Sequence, residues 1–219
     1  MYSPGEHWYD FWTKHIINDV KSKCINTPGV SALEGQVRAV KYDFLLDYDE
    51  IFSDCREPPE NSQNIHSLVD LSELSISFDG DSVHVSGNFT SIWDVEPTDR
   101  IVVSVKTFQF KRGNWEPTFF SYSIGDFCSR MYGPDEYWYD IWSKHIINDV
   151  KSKCINTPGT LLILEEYDVN AVFDVGLAGP SLSGLLSIVV KLEAFDKSNR
   201  KRPTTICFEV RGEMVKKYK

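Results

Sequence analysis

The sequence predicts an all-β fold: an antiparallel two-sheet sandwich with one helical insertion and an extra amphipathic helix at the N-terminus. Three observations carry this. From Val37 onward most of the chain falls into runs rich in β-branched and aromatic residues that alternate with period two. Turn formers punctuate these runs at hairpin spacing, most plainly at Asp79-Gly80 and Lys111-Arg112-Gly113-Asn114. About seven to nine such strands with a single helical interruption suit an antiparallel sandwich.

The elements follow in order. Residues 1–29 form a segment treated below, and 30–37 read as a joint. Ala39, Tyr42 and Phe44 to Leu46 mark a first strand, followed by the acidic stretch Asp47 to Glu50 and a loop from Glu57 to Gln63. Leu68 to Phe78 is a strand whose Leu74, Ile76 and Phe78 share one side. After Asp79-Gly80, Ser82 to Thr90 returns with Val83, Val85 and Phe89 on one side, and Ile92 and Trp93 continue it. Ile101 to Lys111 carries Val103 and Val105 on one face and Val102, Phe108 and Phe110 on the other, as in a strand with apolar surroundings on both sides. Trp115 to Ile124 pairs back on it. Thr160 to Asp168, Ala171 to Val175, Leu182 to Phe195 and Thr204 to Val215 are the later strands. The polar stretch Asp196 to Pro203 joins the last two. Its Arg200, Lys201 and Arg202 are a candidate anion contact that reads more simply as a solvated hairpin tip.

Tyr132 to Gly159 breaks the period-two pattern. Pro134, Asp135 and Glu136 suit a helix start. Trp138, Ile141, Trp142, Ile146 and Val150 then recur at helical spacing, and Pro158-Gly159 is a stop. The expectation is an amphipathic helix whose aromatic face either packs on a core or closes an apolar cavity. The same segment stands at Tyr2 to Gly29, identical at 23 of 28 positions. The differences are Ser3/Gly133, Gly5/Asp135, His7/Tyr137, Phe11/Ile141 and Thr13/Ser143. Two copies with 102 unlike residues between them are a duplicated segment, not a stacked repeat.

Composition narrows the function. The chain has 219 residues, 42% hydrophobic and 25% charged, as in a globular domain. A net charge of −9 argues against a nucleic-acid partner. No run of about 18 apolar residues predicts a transmembrane segment, and Met1 is not followed by an apolar leader. The five cysteines are Cys24, Cys55, Cys128, Cys154 and Cys207. None forms CxxC and no histidine stands at zinc spacing, so no metal or cofactor is expected. Cys24 is the copy of Cys154, and without the duplicated segment four cysteines remain, enough for two disulfides. Asn88-Phe89-Thr90 is a glycosylation sequon.

Catalysis finds no support. Gly179-Pro180-Ser181-Leu182-Ser183-Gly184 lacks the spacing of a nucleophile elbow. His7, His15, His66, His84 and His145 stand in no recognisable triad or metal set. The expectation is a protein that is not an enzyme.

The spacing of several short motifs has a counterpart. Cys55 follows a first strand and Cys207 lies in the last. Between them come Gly87-Asn88-Phe89-Thr90, Phe127-Cys128 and the stretch CINTPGT from Cys154. ICFEVRGEMV, from Ile206, closes the pattern. Over about residues 38–217 the chain resembles the insect chemosensory CheB proteins. These in turn are similar to the ganglioside activator and the ML (lipid-recognition) superfamily. The resemblance implies an immunoglobulin-like β-cup of two sheets around an apolar cavity, with the helical insertion near its mouth. It implies disulfides Cys55–Cys207 and Cys128–Cys154, and glycosylation at Asn88. It also implies secretion, so the first copy reads as a remnant of a fused neighbouring gene standing where a leader belongs.

Three roles compete. The first is an extracellular carrier or co-receptor for a lipid, pheromone or cuticular hydrocarbon in taste perception, working with a membrane receptor or channel of sensory cells. Its lining candidates are Phe108, Phe110, Phe119, Trp138, Trp142, Ile146, Phe173, Leu185 and Ile188, each of which also reads as plain sandwich core. The second is an enzyme, set aside above. The third is a protein-interaction module that presents the tryptophan-rich segment as its face.

Overall fold

A computed structural model describes residues 40–47, 51–79, 82–169, 171–175 and 181–217. The segment 1–29, with its expected N-terminal helix, and the joint 30–37 lie outside the described residues. The strands are β1 (Val40–Leu46), β2 (Ser53–Asp54), β3 (Ser62–Gln63), β4 (Val69–Asp70), β5 (Leu74–Asp79) and β6 (Ser82–Ser91). They continue with β7 (Arg100–Lys111), β8 (Asn114–Ile124), β9 (Leu161–Asp168), β10 (Val172–Val175), β11 (Gly184–Phe195) and β12 (Lys201–Lys216).

One sheet runs β10-β1-β12-β11-β7-β8, with β2 and β3 also on β12. The other holds β4, β5 and β9 around β6. The described pairings are antiparallel except β3, which lies parallel to β12. This all-β, antiparallel arrangement is the predicted one. β12 is its spine: β11 follows one edge from Lys201 to Met214, and β3, β2 and β1 share the other. Gly212 permits the last of these contacts, because a Cβ there would stand 2.2 Å from the Leu45 carbonyl oxygen and 2.8 Å from the Phe44 ring.

The turns obey their local chemistry. The β5–β6 ladder closes at Asp79 opposite Ser82. The β7–β8 hairpin closes at Lys111 opposite Asn114, leaving Arg112 at φ 51 and Gly113 at φ 85. Two positive φ values in a two-residue loop are the type I′ geometry that matches strand twist. Gly87, at φ 98, allows β6 to shift register against β9.

Boundaries differ in several places: Ser62–Gln63, inside the expected loop, forms β3, and β12 starts at Lys201, inside the expected connection from Asp196 to Pro203. The strand expected from Leu68 to Phe78 is cut into β4 and β5, because the Asp70 carboxylate accepts the Ser72 N–H at 3.0 Å and turns the chain. β6 ends at Ser91, and Trp93 instead buries its ring in the core.

The larger correction concerns the helical insertion. Tyr132 to Gly159 holds a chain of turns and one 3₁₀ turn, Ser143–His145, and no α-helix. The physical reason is closure. Cys128 and Cys154 are disulfide-bonded with their Cα atoms 5.5 Å apart. A straight helix of 18 residues would carry its ends about 27 Å apart. The apolar residues therefore reach the core by successive reversals. At Ile146 the chain runs out into a β-bridge with Leu164, and the Ile147 N–H donates to the Ile163 carbonyl at 2.9 Å.

The main core lies between the sheets, with Trp93, Ile101, Ile124, Leu162 and Ile206 among its members. Trp138, Trp142 and Ile146 pack against it or within it. The second disulfide, Cys55–Cys207, ties the segment before β3 to the middle of β12.

Candidate functional site: the concave apolar face

Toward the β10-β1 edge, the larger sheet carries a second apolar cluster that meets the main core through Leu46 and Val210. Tyr42 and Phe44 from β1, Leu186 from β11, Met214 from β12 and the preceding Leu182 are buried there. Phe173 from β10, Ile188 from β11 and Val210 from β12 pack against them, and the Phe44 and Phe173 rings meet edge-on at 6.2 Å. Period two explains the assembly: Tyr42 and Phe44, Leu186 and Ile188, Val210 and Met214 lie on one side of their strands. The polar members of the adjoining β7 face are satisfied. Gln109 Nε2 donates to the Ser183 carbonyl at 2.7 Å, and the Thr107 hydroxyl donates to the Phe120 carbonyl at 2.9 Å.

The nine lining candidates separate. Phe173 and Ile188 join this cluster. Trp138, Trp142 and Ile146 belong to the main core or its edge; the Trp138 ring lies 5.0 Å from Phe127 and Trp142 6.0 Å from Phe89. Phe110 and Leu185 are exposed, at 42% and 52%, and Phe119 is 53% exposed. Phe108 meets the guanidinium of Arg56 at 4.8 Å. Sequence reasoning missed Tyr42, Phe44, Leu186 and Met214, although their period-two spacing was the signal that could have found them.

On the opposite, outer face Arg56 is held by two aromatic rings, Phe108 and Trp115, the latter at 4.5 Å. It grips Glu209 with two side-chain bonds of 2.9 and 2.8 Å, and its backbone N–H donates to the same carboxylate. Glu209 is fully buried on β12 and also accepts from Ser187 Oγ. Burial alone would raise its pKa. The Arg56 and Ser187 bonds override that and hold it at about 2. A groove of about 230 Å³ beside this pair is lined by Arg56, Pro59, Lys106, Phe108, Val189 and Lys191.

Other ionisable groups are structural partners. Arg200, Lys201 and Arg202 at the hairpin tip pair with Asp196, Glu193 and Asp99 at 2.8, 2.6 and 2.8 Å. His84 on β6 sits 2.8 Å from Glu166 and 3.1 Å from Asp168, both on β9. Those bonds, Glu166 first, raise its pKa. His145 stacks on Tyr167 at 3.6 Å and meets Glu165 at 2.7 Å. Burial pushes the Tyr167 phenol up to about 12. Ser181 and Ser183 bond to each other. Among the described residues no group of three acidic, histidine or cysteine side chains could hold a metal, and no helix is long and apolar enough to cross a membrane. Asn88 lies half-buried on β6 opposite Ile163.

No family model matches the chain. No curated protein matches it either. Among solved structures, wild-type OgpA from Akkermansia muciniphila is similar over 76% of this chain, at 13% identity and a TM-score of 0.19. The chain spans 32% of that protein's length. So slight a likeness carries no argument about fold or function.

Proposed function

We propose that this protein is a non-enzymatic binder of a hydrophobic ligand, working outside the cell, with the concave face of the larger sheet as the ligand's seat. The observation that supports it most is the second apolar cluster. Tyr42, Phe44, Phe173, Leu186, Ile188 and Met214 carry the apolar inner face on past the main core toward the β10-β1 edge, joined to it through Leu46 and Val210. Two disulfides suit an oxidising compartment. The ligand class is a lipid, pheromone or cuticular hydrocarbon, as the CheB-like and ML resemblance implies. Each methylene buried there contributes about 0.8 kcal/mol, so a long chain binds tightly with few polar contacts.

The test is native mass spectrometry on protein secreted through an oxidising route and mixed with a lipid extract. A retained mass of fatty or hydrocarbon type, lost on unfolding and absent from Leu186→Trp, is the expected result. Leu186→Trp fills the concave face at a cost of about 1–3 kcal/mol from overpacking. An apo mass across every extract, or equal retention by the variant, sinks the proposal. A second reading, a protein-interaction module, is favoured by Phe110 and Leu185 on the outer face.

A further inference from the structure

Tyr132 to Gly159 is held by contacts made almost entirely through side chains and backbone that its copy at Tyr2 to Gly29 also possesses. Trp138 packs on Phe127, Trp142 on Phe89, and Ile146 bridges to Leu164. Asn148 clasps β9 from both ends of its amide, donating to the Leu161 carbonyl and accepting the Ile163 N–H at 2.9 and 3.0 Å. Asn156 donates to the Asp99 carbonyl at 2.8 Å, and Cys154 closes the disulfide with Cys128. The copy places Trp8, Trp12, Ile16, Asn18, Cys24 and Asn26 at the same spacing. A site built for one segment is therefore built for both, and the cysteine that locks it is present twice.

We propose that the Cys128 site accepts the first copy from a second chain of this protein, giving a reciprocally exchanged dimer joined by Cys24–Cys128 bonds. The thiolate of Cys24 attacks the sulfur of Cys128, the Cys24–Cys128 bond forms, the Cys128–Cys154 bond breaks, and Cys154 leaves as the thiolate. One disulfide replaces another and one thiol replaces another, so no oxidant is consumed. Each chain carries one donor segment and one acceptor site, so mutual exchange closes on itself as a two-fold dimer.

Reach points to a second chain as the donor. Asn156 and Arg202 both bond Asp99, which puts the exit of the docked segment near the start of β12. Val40 begins β1 beside the far end of β12, where the Lys217 N–H donates to the Lys41 carbonyl. About 45 Å of strand separates Arg202 from Lys216 at ordinary rise. From Asn26, the copy of Asn156, to Val40 the chain spans 14 residues, at most about 46–50 Å, so a copy from the same chain would have to be drawn nearly straight along the whole of β12. A copy arriving from another chain has no such constraint.

The five differences make the resident segment the better fit. A Cβ at Gly133, where the copy has Ser3, would stand 3.1 Å from the Arg130 carbonyl oxygen. Ser143 is 2% exposed, and Thr13 brings an extra methyl to that place. The resident bond is thus the favoured one, and Cys154→Ser removes its advantage.

The experiment uses the full chain in a glutathione redox buffer, quenched with acid and alkylated, then run on a non-reducing gel with peptide mapping. In the unaltered chain a band at twice the chain mass grows with concentration, carries a Cys24–Cys128 peptide and leaves Cys154 alkylated. Cys154→Ser makes that dimer the main species. Adding Trp12→Ala to Cys154→Ser cuts it about tenfold, as docking would require. The proposal is overturned by Cys24 alkylated at every concentration with Cys128–Cys154 intact. A Cys24–Cys24 bond, a Cys24–Cys128 bond within a monomer, or indifference to Trp12→Ala overturns it equally. None of these outcomes depends on what the concave face binds.

Discussion

Replacing Glu209 by glutamine should unfold this protein's outer face from within. The carboxylate is fully buried, and Arg56 beside it is only 19% exposed. Glutamine keeps the shape but removes the charge, so the guanidinium stays half-buried with a neutral partner. The magnitude follows from linkage. A carboxyl held at about 2 in the folded chain instead of its ordinary 4.5 contributes about 3 kcal/mol at neutral pH. The sign is that of a depressed acid: the stability is present above pH about 4.5 and is lost as pH falls toward 2. Breaking a buried pair by removing one member costs a similar amount, about 3–5 kcal/mol. The assay is urea unfolding of the unaltered chain and Glu209→Gln from pH 7 to pH 2, with disulfides intact. The gap should be about 3 kcal/mol at pH 7 and should close by pH 2. A gap below about 1 kcal/mol at pH 7, or one that persists at pH 2, would refute the argument that the ion pair carries this stability.

Two further outcomes follow from the geometry. Gly212→Ala should cost about 2–4 kcal/mol or detach β1 from β12, because its Cβ would overlap the Leu45 carbonyl; thermal unfolding and exchange protection of the Tyr42–Leu46 amides check this. His84 should titrate above the ordinary 6.5, so its contacts with Glu166 and Asp168 add stability below that pH and lose it as pH rises through the raised value. Imidazole shifts followed by NMR, with Glu166→Gln lowering the midpoint, test that, and an unmoved midpoint contradicts it.

Much of the architecture was legible from local patterns. Leu74, Ile76 and Phe78 share the half-buried side of β5, and Val83, Val85 and Phe89 are buried on β6, as the alternation predicts. The two-residue turn at Arg112-Gly113 is local chemistry and appears where Lys111 to Asn114 placed it. Both disulfides implied by the resemblance are formed. The candidate site was less legible. In Gly184-Leu185-Leu186-Ser187-Ile188 the two leucines are equivalent on paper, yet Leu186 is buried on the concave face and Leu185 is exposed on the other. A strand apolar on both sides gives no parity, and only its partners assign one.

By itself, then, the sequence determined the strands, their turns, the duplication and the absence of a recognisable catalytic motif. The strands and turns rest on interactions between residues near one another in the chain. Tertiary structure decided what depends on distant partners. It chose which face of β7 and β11 turns inward, and it set Glu209 against Arg56 across 153 positions. It also decided the conformation of Tyr132 to Gly159. Helical spacing brings apolar residues to one side, but Cys128 and Cys154 must meet, and β9 offers Ile146 and Asn148 an edge to join. Closure and edge pairing are long-range demands, and here they outweigh a periodicity that is only a local preference.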